Sequence, residues 1–215
     1  MDEQGFKYYT TKEYLAFERA SPEKHEFYKG EIFKWGTGLS KKIMNIPVTN
    51  KFIKRRGVSL NHNKLQANFI TAVGSFLKGK SCDVFGSDLR IHVPANGLFT
   101  YPDAIIICGN PQLMDEAFDT VLNPSVIVEI SAGFCELSPP TQRYDRGEKF
   151  MLYRSILSLK EYILIDSESI NIEHYKRNND NTWLLQEWKE RTDKITITTI
   201  GLSLDVAELY SGVRI

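Results

Sequence analysis

The sequence predicts a single α/β domain over residues 1–215: a central mixed β-sheet flanked by helices, with an N-terminal helix and hairpin. Three observations predict it. Residues 104–108, 126–130 and 162–165 form short apolar runs, broken only by Glu129, as strands covered on both faces do. Leu65, Phe69, Ala72, Val73 and Phe76 recur at helical spacing and give one core-packing face. The order helix, meander, helix, strand then requires helices against a mixed sheet. A chain of 215 residues, 42% hydrophobic and 25% charged, is long enough to bury a core.

The elements follow in order. Thr10 with Glu13 is a capping-box pattern, so a helix runs to about Ala20, where Ser21-Pro22 ends it. Aromatic and β-branched residues on both sides of Lys29-Gly30 predict a hairpin. Residues 36–56 look like a loop or appendage. Ser59 caps the helix that carries Leu65 and Phe69 to about Lys78. Residues 83–85 and 89–93 are strand candidates, Asn96-Gly97 is a turn, and strands follow at 104–108 and 126–130. Ser138-Pro139-Pro140 breaks the chain before a helix over about 142–155. Strands at 162–166, 170–175, 183–188 and 194–200 finish the sheet.

Composition narrows the function classes. No apolar run approaches the roughly 20 residues of a membrane helix. Met1-Asp2-Glu3-Gln4 lacks the basic and apolar regions of a secretion signal. Three cysteines, Cys82, Cys108 and Cys135, without metal-like spacing give the expectation of a cytoplasmic protein with no disulfide framework. None shows a pattern of thiol activation. Net charge is zero, yet residues 32–82 contain ten Lys or Arg and no Asp or Glu. Such a stretch can follow a phosphate backbone, but taken by itself it reads first as a solvated basic loop.

The chemistry concentrates in residues 101–153. Glu129 stands in a run that implies burial, where an ionised carboxylate is expensive unless paired or bound to a metal. Asp103 opens the 104–108 strand just after Pro102. Two carboxylates on neighbouring strands repel unless a cation lies between them. Mg²⁺ typically takes one or two protein carboxylates, so it would resolve the problem. Pairing of Glu129 with an arginine, and Asp103 as a turn residue, would resolve it too. Asp145 and Lys149 have the spacing of an ordinary i,i+4 helix pair.

Asp103 after Pro102, then Glu129 in an apolar strand, resembles the Pro-Asp…(Asp/Glu)-x-Lys core of restriction-endonuclease-like proteins. More closely, the chain resembles the Uma-two family of restriction endonucleases. The matching segments are Tyr14-Leu15, His25-Glu26-Phe27 with Gly30-Glu31-Ile32, and Asn61-His62-Asn63. Ser87-Asp88-Leu89-Arg90, Tyr101-Pro102-Asp103, Val128-Glu129-Ile130, residues 144–153, and Glu161-Tyr162 with Asp166 continue the match over nearly the whole chain.

The resemblance implies a restriction-endonuclease-like core and hydrolysis of DNA phosphodiester bonds that depends on Mg²⁺ (or Mn²⁺). It implies Asp103 and Glu129 as metal ligands, with Glu26 as a further catalytic carboxylate and ligand. Ser131 stands where the commonest core has its lysine, and the family is similar in supplying it from the following helix, which points to Lys149. His62 matches a recurrent histidine, for which a packing or capping role is expected. DNA is the implied partner, and a homodimer is the implied assembly. Against the family pattern, residues 36–56 and 131–136 look like insertions. The second separates Glu129 from Lys149, which leaves a rival reading: a nuclease scaffold that has lost catalysis and binds nucleic acid or a protein partner.

Overall fold

The structure, a computed structural model, describes residues 8–35, 59–131 and 144–215. The expected α/β domain is present, as two sheets and a separate hairpin. The proposed insertion 36–56 and residues 132–136 lie outside the described residues. Ser131, the first residue of the second proposed insertion, is the last residue of a strand and pairs with Asp166.

Helix α1 (Thr11–Ala20) starts at the predicted capping box, with Thr10 and Glu13 bonding each other's backbone N–H. Strands β1 (His25–Tyr28) and β2 (Glu31–Lys34) form the predicted hairpin. Lys29 and Gly30 both take positive φ, 48° and 85°, which a two-residue hairpin turn requires and which favours glycine. Helix α2 (Leu60–Leu77) is capped by Ser59, whose hydroxyl accepts from the His62 N–H. Strands β3 (Cys82–Gly86), β4 (Arg90–Val93), β5 (Leu98–Thr100), β6 (Ala104–Cys108), β7 (Thr120–Val121) and β8 (Val126–Ser131) follow. A wide π-helical turn, Tyr144–Lys149, leads into α3 (Phe150–Tyr153). The chain ends with β9 (Glu161–Asp166), β10 (Ile172–Arg177), β11 (Trp183–Trp188), β12 (Lys194–Ile197), β13 (Leu202–Asp205) and α4 (Val206–Leu209).

The central sheet has six strands in the order β11-β10-β9-β8-β6-β3. It is mixed: β8 and β9 run parallel, and its other pairs are antiparallel. Parallel neighbours need a crossover, and α3 lies on that connection. Side-chain alternation divides the core. Val126, Val128, Ile130, Ile163 and Ile165 pack with α2 and β12–β13 on one face. Ile105, Ile127 and Leu164 pack with Phe150 and Tyr153 of α3 on the other, and Ile91, Val93 and Leu98 of a second sheet join them there. That sheet has five strands, β2-β1-β5-β4-β7, and α1 covers it through Tyr14 and Leu15 against Phe27 and Phe99.

Two expectations are corrected. Residues 194–197 do not finish the main sheet. They pair with β13 in a hairpin that lies across it, held by Glu161, which accepts hydrogen bonds from Thr198 and Thr199. The cysteines are not all free thiols. Cys82 and Cys108 are directly opposed in the β3–β6 register and form a disulfide. Sequence spacing could not show this, because the pairing follows from strand register. Among the described residues, no helix is long and apolar enough to cross a membrane.

Candidate active site

The β6–β8 register places Ala104 opposite Val128, so Asp103 and Glu129 come next to each other one step beyond. Both are buried, at 5% and 4% exposure. Glu129 alternates with Ile127 along β8 and therefore shares its face, the one covered by α3. There the Lys149 ammonium lies 2.8 Å from Glu129 Oε1, with 7% and 5% of the two side chains exposed. Tyr153, one helical turn beyond Lys149, donates its hydroxyl to the same oxygen at 2.8 Å. Burial, reinforced by the Glu129 charge, pushes the Tyr153 hydroxyl well above its ordinary pKa, so it remains a donor. The chain beyond Ser131 thus brings Lys149 back onto the strand glutamate.

Asp103 is held from three directions. Its Oδ2 accepts the Ile130 backbone N–H at 2.7 Å and lies 3.1 Å from His62 Nε2. Its carbonyl accepts from the Gln66 side chain at 2.7 Å. The preceding residue pair is anchored too. The Tyr101 hydroxyl donates to Glu18 at 2.7 Å and accepts from Arg90 at 3.1 Å, and the Trp35 indole donates to the Tyr101 carbonyl. These bonds fix where the strand begins, and with it the direction of the Asp103 carboxylate.

Glu26 is also buried, at 3%, and takes a short hydrogen bond from the Thr100 hydroxyl. It stands in β1 of the second sheet, whose partner β5 leads through Thr100 into Tyr101-Pro102-Asp103. Among the described residues, no three His, Cys, Asp or Glu side chains gather as a metal-holding group. Glu26 therefore does not complete a three-donor cluster with Asp103 and Glu129. The two central carboxylates still suit a hard divalent cation, since Mg²⁺ or Mn²⁺ prefers oxygen donors and keeps several waters. Asp103 has an oxygen to offer, because its bonds among the described residues fall on Oδ2.

Sequence reasoning missed Tyr153 and Gln66, and assigned His62 only a packing or capping part. Two signals were present: Tyr153 lies four residues after Lys149, and Gln66 four after His62, so each pair shares a helix face. The Asp145 side chain lies outside the described residues.

A mixed central sheet between helices, with an aspartate and a glutamate on neighbouring strands and a lysine from the crossover helix, is consistent with the restriction-endonuclease-like class. The profile of Uma2 (Uma-two), described as "Putative restriction endonuclease", matches residues 46–207. The chain belongs to the Uma2 family. Two relatives come from Synechocystis sp. (strain ATCC 27184 / PCC 6803 / Kazusa). Uncharacterized protein slr1290 is 31% identical over 201 residues, covering 94% of this chain and 90% of its own length. Uncharacterized protein sll1609 is 33% identical over 181 residues, covering 84% and 88%.

Proposed function

We propose that this chain is a metal-dependent endonuclease that hydrolyses DNA phosphodiester bonds. The observation that supports it most is the meeting of three charged groups in one buried place: Asp103 beside Glu129 in register, and Lys149 at 2.8 Å from Glu129. Asp103 and Glu129 are the residues that would hold Mg²⁺ or Mn²⁺. When bound, such a cation polarises a phosphoryl oxygen and makes water a stronger nucleophile. Lys149 keeps positive charge beside Glu129 and offers it to the negative charge that develops on the phosphate. The Tyr153 hydroxyl orients Glu129. The Ile130 N–H orients Asp103. Glu26 acts at a distance, by bracing Thr100 at the entry to the Pro102-Asp103 turn. DNA is the partner in this reading, and pairing of two copies would set one site against each strand of a duplex.

The test is cleavage of supercoiled plasmid with Mg²⁺, with Mn²⁺ and with a chelator. The wild-type protein nicks or linearises plasmid only when the cation is present. Asp103→Asn and Glu129→Gln lose at least about a hundredfold in rate, the scale on which a site misplaced by about 1 Å loses activity. Cleavage that Asp103→Asn leaves unchanged would refute the assignment. DNA binding without metal-dependent cleavage would replace it with the reading of a binding module on a nuclease scaffold.

A further inference from the structure

We infer that His62 is a positioning residue for the metal-binding aspartate: its Nε2–H fixes Asp103 Oδ2 and so turns Oδ1 toward the cation. The inference rests on the metal reading of Asp103 and assigns the histidine a part in it.

Four observations carry it. His62 Nε2 lies 3.1 Å from Asp103 Oδ2, and the Ile130 N–H reaches the same oxygen at 2.7 Å. One backbone donor and one facing imidazole nitrogen gather at the same carboxylate oxygen, which leaves the other oxygen for a ligand. Second, the hold is a clamp with two points. His62 and Gln66 share one face of α2, and Gln66 grips the Asp103 carbonyl at 2.7 Å while His62 grips the side chain.

Third, the clamp is rigidly mounted. Asn61 bonds the carbonyls of Ser167 and Arg214 and accepts from the Arg214 N–H. Asn68 bonds the carbonyls of Leu209 and Ser211, and Leu65 and Phe69 are buried in the core. The helix therefore cannot shift without unmaking the C-terminal packing, which gives His62 a fixed origin from which to aim Asp103. Fourth, His62 Nδ1 is buried without a hydrogen-bond partner among the described residues. The ring proton accordingly belongs on Nε2, where an acceptor waits, since a buried N–H without a partner is rarer than a buried bare acceptor.

Carboxylates that bind metals are commonly held by such outer hydrogen bonds, and loss of one typically weakens metal affinity by 10–100-fold. The experiment compares His62→Leu, which keeps bulk but loses the donor, with His62→Gln, whose amide can place an N–H near the Nε2 position. Mn²⁺ binding to the full chain is followed by electron paramagnetic resonance, alongside thermal unfolding and the Mg²⁺ dependence of plasmid cleavage. His62→Leu is expected to stay folded and to bind Mn²⁺ about 10–100-fold more weakly, with the Mg²⁺ dependence of cleavage moved to correspondingly higher concentration. His62→Gln is expected to recover most of the affinity.

Equal Mn²⁺ affinity in folded His62→Leu and wild type would overturn the inference while leaving the proposed function standing. So would equal losses in both variants, which would mean that ring packing alone matters. Should His62→Leu unfold, a normal Mn²⁺ affinity for folded His62→Gln supports the inference and a loss there overturns it. A wild-type protein that neither binds Mn²⁺ nor cleaves DNA sinks the proposed function, and this inference with it.

Discussion

Lys149→Met is the perturbation that tests the heart of the site. It removes the cation 2.8 Å from Glu129 Oε1 and leaves a carboxylate that is 4% exposed. Removing one partner of a buried ion pair costs about 3–5 kcal/mol, because the other charge stays behind uncompensated. The Tyr153 hydroxyl still donates to Glu129, so the lower end, about 3 kcal/mol, is expected. Adding Glu129→Gln to the same protein takes away the carboxylate's negative charge. The double variant should therefore be more stable than Lys149→Met alone, although it carries one more substitution. Urea unfolding followed by tryptophan fluorescence measures all of these. A loss below about 1 kcal/mol in Lys149→Met would place the pair among surface ion pairs and refute the burial argument. Losses that simply add in the double variant would refute the coupling. The metal reading makes one further demand: Mg²⁺ at a hundred times its dissociation constant should return about 2.7 kcal/mol to Lys149→Met. No gain with Mg²⁺ there would count against Asp103 and Glu129 as its ligands.

Two other predictions concern the scaffold. Reduction of Cys82–Cys108, which closes a separation of 26 residues, should lower stability by up to about 3.5 kcal/mol on the loop-entropy scale. Thermal unfolding with and without dithiothreitol, compared with Cys82→Ser, measures it, and an unchanged midpoint despite alkylation of both thiols would refute it. The hairpin clamp should be sensitive to acid. Burial pushes the Glu161 pKa up, but hydrogen bonds from His174 and Thr199 outweigh it and bring the group down to about 2. Its stabilisation is thus complete above the ordinary carboxylate range and disappears as pH falls toward 2, by about 3 kcal/mol. His174, held below its ordinary value chiefly by burial despite Glu161, adds a loss of the same sign as pH falls through the normal histidine range. Glu161→Gln should flatten the acid limb of a stability–pH curve, and an unflattened limb would refute the assignment.

What could be read in the sequence was what local chemistry determines. The capping box at Thr10 and Glu13, the Lys29-Gly30 turn and the apolar strands at 104–108 and 126–130 each declare themselves within a few residues, and each is where it was expected. The odd charges in those strands were legible for the same reason: Glu129 needed a partner, and Lys149 is now beside it. What stayed hidden depends on register and on long-range docking. The disulfide exists because β3 and β6 align Cys82 with Cys108, and a slip of one residue would send the two thiols to opposite faces. Residues 194–197 look like one more strand of the main sheet. Their place is decided instead by Glu161, which holds Thr198 and Thr199 across the sheet face. His62 shows both limits together. Its backbone role at the start of α2 follows from Ser59 three residues earlier, which sequence can show. Its ring role follows from Asp103, 41 positions away, which only the folded chain brings to 3.1 Å. In this protein the residue types announce which charges need an explanation, and the packing of α2 and α3 against opposite faces of one sheet decides which partners answer them.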